Sequence, residues 1–569
     1  MRLLLPLLLG TALAGCSMAP KYVRPDLPVP ASWPTGDAYL QQSEAALPSV
    51  TYRDIFRDPR VQRLIDQALA NNRDLRASVA NIEAARAQYR IQRAELFPQV
   101  DTGATITRRE IGRQAAGGNF AVGGTTYQAT LGTSAFELDL FGRVRSLSDA
   151  ALARYFGQEA AARAVRLTLT GDVASAWLTY AADQSLLKIA QDTAAAARRS
   201  VELTRARVSG GIAPRTDLRQ AEQILATAEA NIASQRTALA QDINALQLLV
   251  GAPIDPALLP ASIEEAAGTV AELPAGLDSQ VLLRRPDVVQ AEYDLRAANA
   301  EIGAARAALF PRISLTGLFS FASTALSSLI SSDALTKTAT GNIAYPIFAG
   351  GAARAGVDQT RAQQQAALAR YEGTIQTAFR EVADALARRG TISDELAATE
   401  RFAAAAQDTY QLSNARYRGG VEPFLTTLDA QRSLYAAQQQ LVQTRLIRAT
   451  NLVTLYRTLG GDSQLAVTAV GAVPAPALVG SSAPNPQGPA RNTLHLVTIK
   501  RLRGRTLSGS VRCSRTLRRR RRWPMMRRTR WWRRPPRCWR LPNCPARCWS
   551  SACCPGPPRR SPASRMATV

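Results

Sequence analysis

The chain has 569 residues and a formal net charge of +26, a balance typical of nucleic-acid binders. The charge is local. From Arg491 onward there are 23 basic residues and no acidic one, so the remainder carries 47 basic against 44 acidic side chains. Six of the seven cysteines, Cys513 to Cys554, and the single histidine, His495, lie in that same block. The body thus lacks the groups for disulfides, thiolate metal sites and His-based catalysis, and no nucleophile–base constellation appears in it. No cofactor, metal, nucleic-acid partner or enzymatic activity is expected.

Residues 3–14 are apolar, follow Arg2 and are too short for a transmembrane helix of ~20 residues, so they read as a secretory signal. The end of this run, Leu13-Ala14-Gly15-Cys16, resembles the bacterial lipoprotein signal. That implies removal of residues 1–15 and lipid attachment at Cys16, with Ser17 permitting outer-membrane sorting. Residues 16–58 open with Pro20, Pro25, Pro28, Pro30 and Pro34 and predict an extended strap.

Helical periodicity over 60–96 stops at Leu96-Phe97-Pro98. Alternation then begins, with Val100, Thr102, Ala104 and Ile106 on one strand face. A glycine-rich loop at 113–125 leads to a second strand from Thr126 to about Leu140. Its change of parity predicts a bulge near Ser134. Residues 143–208 contain no proline. They predict a helix about 100 Å long, which suits a coiled-coil-like barrel or stalk and no globular core. It ends at Gly210-Gly211-Ile212-Ala213-Pro214. The glycine pair supplies backbone freedom at the helix end, and Pro214 fits the first turn of the returning helix, 215–250. The proline-rich residues 251–285 read as a connector.

The order then repeats. A helix over 286–310 ends at Leu309-Phe310-Pro311, 213 residues after its counterpart. Ile313, Leu315, Gly317, Phe319 and Phe321 alternate with polar residues; a serine-rich loop and a strand over 335–348 follow. The second long helix spans 352–417. The turn Gly419-Gly420-Val421-Glu422-Pro423 lies 209 residues after the first, and a final helix runs to about Leu459. Four ordered markers at a near-constant offset define two internal repeats, 59–250 and 286–460. Residues 461–490 read as a linker. The basic tail, 491–569, has no periodicity and reads as disordered or as an out-of-frame product of a GC-rich gene.

The fold class is mainly α with a small β part. Strands of about ten residues can cross a bilayer when tilted. The third has an apolar face and a Ser/Thr face, as a barrel wall requires, although a soluble β-layer capping a bundle would alternate too. Four strands cannot close a barrel, so membrane-spanning strands would have to be shared between chains. Here the sequence resembles the TolC-like, OprM-type outer-membrane efflux family, in the lipoprotein subfamily serving resistance-nodulation-division pumps. The residues carrying the resemblance are Cys16 with Pro20 to Pro25, Phe136 to Arg143, Arg284 to Val288 with Ala291-Glu292, Ile302-Gly303 with Phe310-Pro311, and Tyr417 to Gly420 with Leu428 to Gln431. The resemblance implies a homotrimer with a 12-stranded outer-membrane β-barrel and a periplasmic helical barrel. It also implies a periplasmic adaptor and an inner-membrane pump as partners, and a passive exit duct gated at its periplasmic tips. By position it assigns Asp217, Tyr417, Glu422 and Asp429 to the gate. Glu422 and Thr426 depart from one relative's pattern, which leaves Arg215, Arg416 or Arg418 as candidate cations. A periplasmic adaptor or structural protein without a pore is the alternative.

Overall fold

The computed structural model describes residues 17–39, 51–111, 122–271 and 279–461. The signal segment, Cys16, most of the loop between the first two strands, and the linker and tail from 462 onward lie outside them.

The sequence repeat is a structural repeat. In the first half α1 (Tyr52–Ile55), α2 (Pro59–Asn71) and α3 (Arg73–Ala94) lead into β1 (Asp101–Ile111) and β2 (Val122–Glu137). The long α4 (Arg143–Ser209) and the returning α5 (Arg215–Val250) follow. After a short α6 (Ile263–Ala267), the second half runs α7 (Pro286–Ala307), β3 (Arg312–Ser323), β4 (Leu335–Ala344), α8 (Ala352–Arg418) and α9 (Phe424–Thr458). Both α4 and α8 are 67 residues long, about 100 Å each. Alanine is the commonest buried residue on both (Ala150, Ala160, Ala174, Ala181, Ala190 and Ala194 among those on α4), so neighbouring helices approach closely.

Three local expectations change. The helix expected over 60–96 breaks at Asn72. Its side chain caps α3 through Leu75 N–H (2.9 Å) and donates to Leu249 O (2.9 Å), which turns the chain without leaving polar groups bare. The strap carries one helical turn, α1, closed by the reciprocal Thr51–Asp54 cap. The fourth strand stops at Ala344, short of Phe348. Pro346 has no N–H for a ladder, and Gly350 and Gly351 reverse the chain at φ 58° and 85°. The proline-rich stretch after α5 packs onto the helices: Ile263 and Leu282 are fully buried, and Leu258 O accepts a hydrogen bond from Trp177 Nε1 (3.0 Å).

The sheet is antiparallel, in the order β1-β2-β3-β4, with β1 and β4 as its edges among the described residues. The β2–β3 register shifts between Thr133 and Phe136, where the bulge was expected, and Ala135 takes φ 55°. The main core gathers where α2, α4, α6, α7, α8 and α9 meet, around Trp177, Tyr371 and Tyr456. The strap lies on this core. Trp33 stacks on Phe379 (centroids 4.7 Å apart), and a Cβ on Gly390 would stand 2.1 Å from Ala38 O.

Candidate functional site

The two hairpin ends are built alike. At the first, Gly211 N–H donates to Val208 O (3.1 Å) and Ile212 N–H to Arg207 O (2.8 Å). At the second, Gly420 N–H donates to Tyr417 O (3.0 Å) and Val421 N–H to Arg416 O (2.9 Å). Both are Schellman ends, which need a left-handed residue. Only Gly211 (φ 73°) and Gly420 (φ 77°) are left-handed. Gly210 and Gly419 stay right-handed, so one glycine of each pair meets the backbone demand. Pro214 and Pro423 sit one residue earlier than expected, at the N-caps of α5 and α9, with extended ψ of 154° and 156°. Each apex presents an apolar residue to solvent, Ile212 at 80% and Val421 at 69% exposure.

Behind the apices, Tyr417 joins the two hairpins. It is 4% exposed, and its ring leans on Phe424 with centroids 5.2 Å apart. Its hydroxyl is 3.3 Å from Thr204 Oγ1 on α4. The Arg207 guanidinium covers the ring at 4.4 Å and donates from Nη2 to Arg418 O (3.0 Å). The ring is buried but Arg207 is only half-buried, and a cation–π pair of this kind contributes ~0.5–1 kcal/mol. Val201, Ala221, Phe424 and Leu428 complete a small tip core.

The other candidate residues stand apart from this latch. Glu422 pairs inside its own turn, Oε1 lying 2.5 Å from Arg416 Nε, while its Oε2 is buried without a hydrogen-bond partner. Arg416 is thus the one of the three candidate cations that engages a candidate acid. Asp217, in the first turn of α5, has no ion pair among the described residues, and burial raises its carboxyl above the ordinary value. Asp429 is exposed, with Arg432 one turn on at 4.0 Å. Arg207 and Thr204 escape sequence reading because their partner lies more than 200 residues away. A basic residue at a helix C-terminus is ordinarily explained by the helix dipole alone.

The sequence profile of the family described as outer membrane efflux protein matches residues 64–252 and 277–461. A probable efflux pump outer membrane protein of Pseudomonas putida, TtgC, is 44% identical over 79% of this chain and 93% of its own length. Outer membrane protein OprJ of Pseudomonas aeruginosa is 40% identical over 80% and 95%. Among solved structures, CusC superposes with a TM-score of 0.70 at 37% identity, covering 78% of this chain and all of its own. The open-state outer-membrane channel MtrE of Neisseria gonorrhoeae gives 0.68 at 36% identity, covering 78% and 98%. With both repeats matched and these relatives covered almost end to end, the chain belongs to the outer membrane efflux protein family: it is an efflux channel of the outer membrane, neither a periplasmic adaptor nor an enzyme.

Proposed function

We propose that three copies of the chain close into one duct, the exit of a tripartite system with a periplasmic adaptor and an inner-membrane resistance-nodulation-division pump, and that the hairpin ends are its gate. The observation that carries this is the open four-stranded sheet. Unpaired edges in lipid cost several kcal/mol per backbone group, so β1 and β4 call for neighbours. Three chains pair every edge and give twelve strands, wide enough for an aqueous lumen. The helical hairpins continue that wall away from the sheet and end at the paired turns, where Ile212 and Val421 offer an adaptor an apolar docking rim.

The gate reading rests on the Arg207–Tyr417 latch between the two hairpins of a protomer, with Asp217, Glu422 and Asp429 supplying charge around it. Opening by splaying the hairpins must separate α4 from α8 at this point. The double variant Arg207→Ala with Tyr417→Ala is expected to raise single-channel conductance in planar bilayers several-fold. Asp429→Ala added to it should reduce cation selectivity, because an acidic ring attracts cations. Unchanged conductance in an intact trimer would refute the gate.

Lipid attachment at Cys16 is part of the same proposal. Met18 O accepts from Arg306 Nη1 (3.3 Å), and Arg306 stands in the last turn of α7, which leads straight into β3. The strap therefore begins at the base of the sheet, where a lipidated residue would meet the membrane. Cys16→Ser is expected to abolish palmitate labelling; persistent label would place the anchor elsewhere.

A further inference from the structure

The two repeats meet inside the chain through a contact whose repeat-equivalent surfaces lie open. Phe141, just after β2, stacks on Phe310, just before β3, with ring centroids 4.7 Å apart and planes 19° apart. Beside them the start of α4 packs on α7. Ala150, Ala297 and Ala300 form a small apolar cluster there, and Arg154 pairs with Glu301. The long helix of the first repeat thus docks on the short helix of the second. The ring pair has a counterpart in the remaining halves of the repeats. Phe348 stands 207 residues after Phe141, and Phe97 stands 213 residues before Phe310. Both of these rings face solvent, Phe348 at 91% and Phe97 at 64% exposure.

The helices beside the rings show the same asymmetry. The equivalent helices α3 and α7 are both 22 residues long, yet α7 buries Val288, Leu295, Ala297 and Ile302 among others, whereas α3 buries only Leu75. The start of α4 buries Val144, Ala150, Ala151 and Ala160, whereas α8 buries only Val357 before Tyr371. Large exposed rings flanked by uncovered helix faces mark an interaction surface. The two open surfaces also suit each other in charge. Arg154 and Glu301 correspond to Gln363 and Gln88, both exposed, and two amides can pair with no charge left unmatched. We propose, on the three-copy reading above, that a second copy of the chain repeats the internal contact. Phe348 of one copy stacks on Phe97 of the next, and the start of α8 packs on α3 of that copy, with Gln363 opposite Gln88. Such a head-to-tail contact uses two different surfaces of each chain and can close into a ring. The junctions between chains then match those within them.

The test replaces Phe348 of the full chain with p-benzoylphenylalanine and irradiates outer membranes that contain it. Covalent products of two chains, and of three at longer exposure, are expected on denaturing gels, with the captured peptide holding Phe97. The same photoprobe at position 141 should give a single-chain product linked near Phe310. At position 97 it should capture the peptide holding Phe348, and this reciprocal probe keeps the test decisive if the change at 348 prevents assembly. Capture of lipid alone, capture of another part of a second copy, or single-chain products only would overturn the proposal. Glutaraldehyde crosslinking of the unaltered chain is read in parallel. A trimer that persists confines the failure to this junction, whereas a monomer removes the three-copy duct as well.

Discussion

Replacing Gly132 with valine is expected to remove nearly all assembled channel from the outer membrane. Gly132 lies in β2 opposite Leu318, one residue before the bulge, with φ 156°. A Cβ there would stand 2.0 Å from Gly317 O and 2.8 Å from Leu318 Cα. Both are backbone atoms, so no side-chain rotation relieves the overlap, and β2 would have to leave β3. Loss of central ladder bonds in lipid costs several kcal/mol per pair of groups. The same strand pair provides the control. A Cβ on Gly317 meets nothing within 4 Å, so Gly317→Val should assemble at close to normal levels. Heat-modifiable oligomer on semi-native gels of outer-membrane fractions is the measurement. Equal amounts of oligomer in the two variants would show that the β2–β3 crossing is looser than described.

Removing the charge of Glu292 should free the strap. This carboxylate, 5% exposed, accepts from Arg24 Nε (3.1 Å) and Nη2 (2.8 Å), from Arg296 Nη2 (2.6 Å) and from Tyr22 Oη (3.3 Å). Arg296 also packs over the Tyr22 ring at 4.9 Å. Breaking a buried pair by deleting one partner costs ~3–5 kcal/mol. Both arginines are about two-fifths exposed, so ~2–3 kcal/mol is the reasonable scale here. Glu292→Gln is therefore expected to speed trypsin cleavage after Lys21 by roughly 30- to 160-fold, since local opening limits the cut. Arg24→Lys keeps the charge but loses the bidentate geometry and should show a smaller rise. Burial alone would push the Glu292 carboxyl up; the hydrogen bonds from Arg24 and Arg296 outweigh it and hold the group below the ordinary value. A carboxyl depressed in the folded state stabilises above its unfolded pKa. That contribution is lost as pH falls through the folded value, so strap release in the unaltered protein belongs below the ordinary glutamate range. Cleavage of Glu292→Gln at the unaltered rate would contradict this assignment.

Much of the architecture was legible in one sequence because it rests on local rules. Proline-free alanine-rich runs make long helices, and Gly-Gly-x-x-Pro ends them whatever lies nearby. Alternation makes strands, and a parity change marks a bulge. Repetition at a near-constant offset then exposes the duplication. The errors have equally local causes: Asn72 spends both ends of its amide on a chain turn, and Pro346 stops a strand whose apolar alternation continues.

The sequence by itself determined the elements, their order and the family. The tertiary structure decided which distant residues meet. Arg24 and Glu292 both carry the family resemblance as separate landmarks, and only the fold places one against the other across 268 positions. At the tips the sequence located Tyr417, Glu422, Asp217 and Asp429 by position, but the partners were set by how two hairpins lie together. Tyr417 meets Thr204 and Arg207 on the other hairpin, whereas Glu422 closes on Arg416 within its own turn. The physical reason is range. Helix propensity, caps and turns are fixed within a few residues, whereas the rotation and register of one long helix against another are fixed by packing summed along its whole length.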